Sequence, residues 1–280
     1  MNKQQIGLVT GGALLLCLIF LFGRTIPPQK NTAPVAATTG SKAIDVGAIL
    51  TAARQQLTPT QQAYVSQLEA AVVRGDVKNQ QIKVYKQLAA FWRDSAHMLL
   101  PYAWYTSEAA KLENSEKNLT FAAQFLLEGL RRQDNPELKK WMATQAKELF
   151  EKALQLNPGN DSLKVGLGSC YLFGGISDMP MQGIQIIKEV ADRDPNNMYA
   201  QFMLGMGGLV SGQLDRAIER LTKVAEHEPG NLEAVLMLAE ANERKGDSAT
   251  AVKWYEVSKK NIRDTGIVNE INSRINLLKK

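Results

Sequence analysis

The sequence predicts an all-α body of stacked helical hairpins behind a single N-terminal membrane-spanning helix. Three observations carry that expectation. Apolar residues recur at helical rather than strand spacing through most of the 280 residues. The chain aligns with itself at an offset near 34 residues, and residues 6–23 form one uncharged apolar run. With 45% hydrophobic and 22% charged residues the chain has the apolar mass to bury a core, so general disorder is excluded.

The apolar run "IGLVTGGALLLCLIFLFG" holds eighteen residues without a charge. At about 1.5 Å per residue a helix of this length just reaches across a hydrocarbon core of roughly 30 Å, and a backbone in lipid has to satisfy its own hydrogen bonds. A cleaved leader has a shorter apolar core followed closely by small residues. Here Arg24, Pro27 and Pro28 follow, and Cys17 sits inside the run behind Leu16, so an uncleaved signal-anchor is expected. The tail 1–5 is short, which favours a bacterial inner-membrane protein with its body on the periplasmic side. Lys3 on one flank and Arg24 with Lys30 on the other nearly balance, and the cytoplasmic face is the alternative. Residues 24–44, rich in Pro, Thr and Ala, read as a linker.

The repeats lie in the C-terminal half. A shift of 34 pairs Leu204 with Leu238, Gly205 with Ala239, Gly212 with Gly246 and Ala217 with Ala251. Upstream, a shift of 37 pairs Leu204 with Leu167, Gly205 with Gly168 and Gly212 with Gly175; past the turn the shift returns to 34, pairing Leu221 with Ile187 and Pro229 with Pro195. Three extra residues therefore sit in the "GGISDMPMQ" turn. Glycine inside a helix costs about 1 kcal/mol relative to alanine, so its recurrence needs a reason. In hairpins that resemble the tetratricopeptide repeat, Gly168, Gly205 and Ala239 of first helices are expected opposite Gly183, Ala217 and Ala251 of second helices, where two backbones cross closely. Gly175, Gly212 and Gly246 fall where a left-handed cap ends the first helix. Pro158, Pro195 and Pro229 end the second. Gly207 and Gly208 have no place in this scheme.

Helix–turn–helix units of about 34 residues resemble the tetratricopeptide repeat. The resemblance covers three units, 161–197, 198–231 and 232–264, and "QAKELFEKALQLNPGN" within 135–160 looks like the last helix of a degenerate fourth. The family's first-helix aromatic is Tyr171 in one unit but Gly208 and Asn242 in the next two, and Arg263 replaces the final proline. Residues 45–134 carry helical patterns with degenerate repeats, whose pairing the sequence leaves open. Residues 265–280 read as a capping helix with Ile267, Ile271, Ile275 and Leu278 on its inner face. The fold implied by the resemblance is a right-handed helical-hairpin solenoid.

By the same resemblance, the first helix of each unit lines a concave groove. Val165, Ser169, Leu172 and Phe173, then Tyr199, Phe202, Met206 and Leu209, then Leu236 and Glu240 are its expected lining, running from apolar to acidic. The Lys, Arg and Asn set with which the family clamps a C-terminal carboxylate is absent. The implied role is a non-catalytic scaffold that binds a protein or peptide partner near the membrane. Self-association through the Gly7–Gly11 pair and exposed solenoid faces is an alternative. A third reading is an enzyme pocket within 45–132 built on Phe91, Trp92, Tyr102, Trp104 and Tyr105.

Other chemistry finds little support. Outside the first 41 residues there are 30 basic and 28 acidic side chains, and the basic pairs are isolated, so nucleic acid is not an expected partner. Two histidines and two distant cysteines give no metal-ligand spacing, and "GLGSCY" is no nucleophile elbow. No cofactor, metal site or catalytic residue is expected. Cys170 reads as a small buried apolar residue.

Overall fold

The computed structural model describes residues 44–74, 77–176 and 180–280. The expected anchor at 6–23 lies outside the described residues, as does the linker except for Ile44. Among the described residues there are thirteen α-helices and no strand. None of these helices is long and apolar enough to cross a membrane. The N-terminal part holds α1 (Val46–Gln55), α2 (Pro59–Arg74), α3 (Lys78–Asp94) and α4 (Leu99–Glu113). The repeat region continues with α5 (Glu116–Arg131), α6 (Pro136–Leu156), α7 (Asp161–Gly174), α8 (Met181–Arg193), α9 (Met198–Val210), α10 (Leu214–His227), α11 (Leu232–Lys245) and α12 (Ser248–Lys259), and α13 (Thr265–Leu278) ends the chain.

The helices pack as consecutive hairpins, α3 with α4, α5 with α6, α7 with α8, α9 with α10 and α11 with α12, and α13 closes on α12. Each second helix then packs against the first helix of the next hairpin. The first helices α5, α7, α9 and α11 also touch in succession, which makes them the inner row of the stack. Helix α5 is the first helix of a fourth hairpin, whose second helix α6 lies within 135–160.

Local chemistry explains the periodic starts and stops. Asn160, Asn197 and Asn231 cap α7, α9 and α11, each side-chain oxygen accepting from the backbone N–H three residues on, at 3.3, 3.0 and 3.1 Å. Asn135 does the same for α6 at 2.8 Å, with Pro136 at the first helical position. At the other end of the first helices, Gly175, Gly212 and Gly246 adopt φ of 61°, 75° and 88°, the left-handed turn that the repeat demanded.

The helix crossings match the sequence reading in two hairpins and depart from it in one. A Cβ built on Gly183 would lie 2.4 Å from the Gly168 carbonyl oxygen and 2.8 Å from the Leu172 amide nitrogen, so α7 and α8 meet backbone to backbone. Ala239 and Ala251 are fully buried in one cluster where α11 and α12 meet. In the middle hairpin, Gly205 faces Leu221 instead, and Gly208, about one turn later, lies against the backbone of Ala217. Gly207 faces Leu172 of the preceding hairpin. The two glycines left over by the repeat thus mark close approaches of their own. The capping helix buries Ile271 and Ile275 with Leu278 beside them, whereas Ile267 near its start is nearly half exposed, against expectation.

Candidate peptide-binding face

The ten residues expected to line the groove do not form one open surface. Val165 and Ser169 are wholly buried, the Ser169 hydroxyl donating to the Val165 carbonyl at 2.8 Å. Phe202, Met206 and Leu209 are between 5% and 7% exposed and belong to the core cluster of α7 through α11. Phe173, Tyr199 and Leu236 are half-buried and Glu240 is exposed. Leu172 lies apart from these, in a cleft shared with Ile184 of α8 and Leu204 of α9. Helical offsets give the side of α7 or α9 on which a residue sits. They do not tell how closely the neighbouring helix covers it.

Part of that cover comes from a residue that the repeat offsets did not single out. Arg131, the last residue of α5, places its guanidinium 5.6 Å from the centre of the Phe202 ring. It pairs with Glu128 one turn back, at 2.8 Å, and with Glu233 in the first turn of α11. The Arg131 side chain is only 8% exposed, and its Nε has no hydrogen-bond partner among the described residues. One side chain therefore spans from the first to the last helix of the inner row. No local motif foreshadows this, because Arg131 and Glu233 are 102 residues apart.

Around this bridge, Glu128 and Glu233, both paired with Arg131, and Glu240, 3.6 Å from Arg244, are each about half exposed. Burial raises the Tyr199 hydroxyl pKa, with smaller contributions from Cys170 and Glu128. Further along, Glu243 accepts from the Tyr255 hydroxyl at 3.0 Å and pairs with Arg274 of α13 at 2.6 Å. Burial first, and then Glu243, push the Tyr255 phenol up to about 12. Glu243 thus ties the capping helix to α11, so this end of the expected acidic groove is occupied by the fold itself.

The groups weighed for catalysis have structural engagements. Cys170 is fully buried, and that burial pushes its thiol up, away from the reactive thiolate form. In the N-terminal part Trp92 is fully buried, its ring edge against Phe91 at 5.4 Å, and Tyr102 packs edge-on against Phe125 at 4.9 Å. The Tyr105 hydroxyl donates to Glu69, which also receives Arg54 at 2.6 Å. These aromatics pack helices together, and Trp104 carries Lys111 over its ring at 5.9 Å. Among the described residues no group of three or more His, Cys, Asp or Glu is placed to hold a metal ion.

Capped helical hairpins stacked through an inner row of first helices define a helical-repeat protein. The family model described as tetratricopeptide repeat matches residues 209–265, so this stretch of the chain carries tetratricopeptide repeats. No curated protein matches it. Among solved structures it is similar to a MamA protein at 18% identity, with a TM-score of 0.43, covering 65% of this chain and 92% of that one. A MamA fragment from Desulfovibrio magneticus RS-1 gives 21% identity, a TM-score of 0.44, and coverage of 67% and 96%. YrrB, described as a TPR protein with an unusual peptide-binding site, gives 18% identity, a TM-score of 0.43, and coverage of 74% and 97%.

Proposed function

We propose that this protein is a non-catalytic interaction scaffold, tethered to a membrane by residues 6–23, whose inner helix row receives a peptide segment of a protein partner. The observation that carries the reading is the half-buried surface of Phe173, Tyr199 and Leu236 bordered by the exposed carboxylates Glu128, Glu233 and Glu240. Apolar contact area flanked by exposed carboxylates gives a helical groove both affinity and register. The carboxylates favour a segment that carries Lys or Arg beside large apolar residues. Such a cation competes with Arg131 for Glu233, and the incoming apolar side chains cover Tyr199 and Leu236.

The test is capture of partners from solubilised membranes by the full chain and by a Leu236→Glu, Glu240→Lys variant. Both positions retain solvent contact, and a circular-dichroism melt checks that the variant folds. A charge at Phe202 or Met206, by contrast, would enter the interior. One or more captured proteins should be lost from the variant and reduced by added salt. An identical set from both proteins would remove the inner face from the reading.

The tether rests on the length and apolarity of 6–23, and the periplasmic placement of the body on the short tail before it. In intact spheroplasts external protease should digest residues 44–280; protection until lysis would place the body on the cytoplasmic side.

A further inference from the structure

Helix α8 packs less extensively on α9 than α6 does on α7 or α10 on α11. A cleft of ≈ 390 Å³ lies there, bounded by α8 on one side and α10 on the other. Gly208 lines it, at the position where the neighbouring units carry Tyr171 and Asn242. Its floor is apolar, made by Leu172, Ile184 and Leu204.

The rim has one sign of charge. Lys188 stands on the α8 wall, and Arg216 and Arg220 stand one turn apart on the α10 wall. Arg216 donates to Gln213 at 2.7 Å and Arg220 to Gln201 at 2.6 Å, both neutral amides that aim the guanidinium groups without cancelling their charge. No carboxylate is among the described residues lining the cleft. Elsewhere on this nearly neutral body cations commonly stand beside acids, as Lys245 does with Asp215 and Arg193 with Asp161. An apolar floor between two uncompensated cationic walls is complementary to an apolar group flanked by negative charge on both sides.

We propose that the cleft between α8 and α10 is a second docking site, taking an acidic peptide segment whose large apolar side chains enter between Leu172, Ile184 and Leu204 while flanking Asp or Glu side chains meet Lys188 on one wall and Arg216 and Arg220 on the other. A single-headed anionic amphiphile would neutralise one wall and leave the other unmatched, which is why a peptide is the better fit. The assignment takes the class of ligand from the scaffold reading but uses a different face of the molecule, so the two stand or fall separately.

The experiment is a fluorescence-anisotropy titration of the full chain with a labelled peptide alternating glutamate and leucine. Its lysine–leucine counterpart and dodecanoate as competitor serve as comparisons. A Lys188→Glu, Arg216→Glu variant reverses the α8 wall and neutralises the α10 wall at exposed positions, and a circular-dichroism melt checks that it folds. The glutamate peptide should bind the wild type, weaken by about tenfold or more in the variant, and yield to the lysine peptide there. The Leu236→Glu, Glu240→Lys variant should bind the glutamate peptide as the wild type does. Failure of the glutamate peptide to bind, equal binding to wild type and wall variant, or competition by dodecanoate at lower concentration than unlabelled peptide would overturn the site. Loss of binding in the Leu236→Glu, Glu240→Lys variant would also overturn it, placing the probe on the inner face and leaving the scaffold reading intact.

Discussion

Phe150→Ala should lower the stability of the solenoid by about 3–5 kcal/mol, the cost of a large aromatic deletion in a site that cannot collapse. Phe150 is fully buried in the cluster that joins α5, α6 and α7. Its ring lies against Gly166, where a Cβ would come within 2.4 to 2.9 Å of three ring carbons. Ring and glycine are therefore complementary shapes across the junction between the fourth hairpin and the three clear repeats. Gly166→Ala alone should also destabilise, even though alanine is the better helix former by about 1 kcal/mol, because the ring has to move. In the Phe150→Ala background the same change should cost less or help, since the methyl enters the vacated space. Denaturant unfolding of the four proteins gives the coupling directly. Strictly additive effects would show that the ring and Gly166 do not share the space the geometry assigns them.

This junction also shows where sequence reading stops. Phe150 and its helix are legible because the "QAKELFEKALQLNPGN" segment keeps the repeat's own spacing. Its partner α5 is not, since "EKNLTFAAQFLLEGLR" carries Ala123 where the later first helices carry Gly168, Gly205 and Ala239 but stands outside the 34-residue offset that links those units. Only contact in three dimensions assigns α5 to α6 and the preceding α4 to α3. The same division holds across the repeats. Asn160, Asn197 and Asn231 act on amides three residues away, and Gly175, Gly212 and Gly246 act on their own backbone, so their roles can be read from one short stretch.

The inner face was legible only in outline. Resemblance gave the right helices, but five of the ten residues it named are buried, because exposure depends on the neighbouring hairpin and on Arg131. A side chain reaching from α5 to α11 depends on how every intervening hairpin stacks. The cleft at α8 and α10 lay closer to view. The longer turn and the surplus glycines are both visible as breaks in the repeat, although that Gly207 and Gly208 line a cleft with Leu172 is not. Departures from a repeat are thus informative in their own right: each removes a side chain or adds a residue at a junction whose regular form the other units define.

Gly183→Ala is the sharpest test of the hairpin itself. On an isolated helix the change stabilises by about 1 kcal/mol. Here the new methyl would stand 2.4 Å from the Gly168 carbonyl oxygen and 2.8 Å from the Leu172 amide nitrogen, both backbone atoms that no rotamer change can remove. The helices have to separate, and a net loss of about 1–3 kcal/mol is expected, as for other overpacked sites. Gly208→Ala is the internal control, because its methyl would meet Ala217 at 3.2 to 3.3 Å, a contact that a shift of a few tenths of an ångström relieves. Its cost should be clearly smaller. Hydrogen exchange should speed up across α7 and α8 in the Gly183 variant and leave α11 and α12 near their original protection, since each hairpin stabilises mainly its neighbours. The separation should also reshape the cleft beside Leu172 and Ile184, weakening the glutamate peptide without altering Lys188, Arg216 or Arg220. A Gly183→Ala protein more stable than the wild type would mean that α7 and α8 are free to move apart, and that backbone contact is not what holds the first complete repeat together.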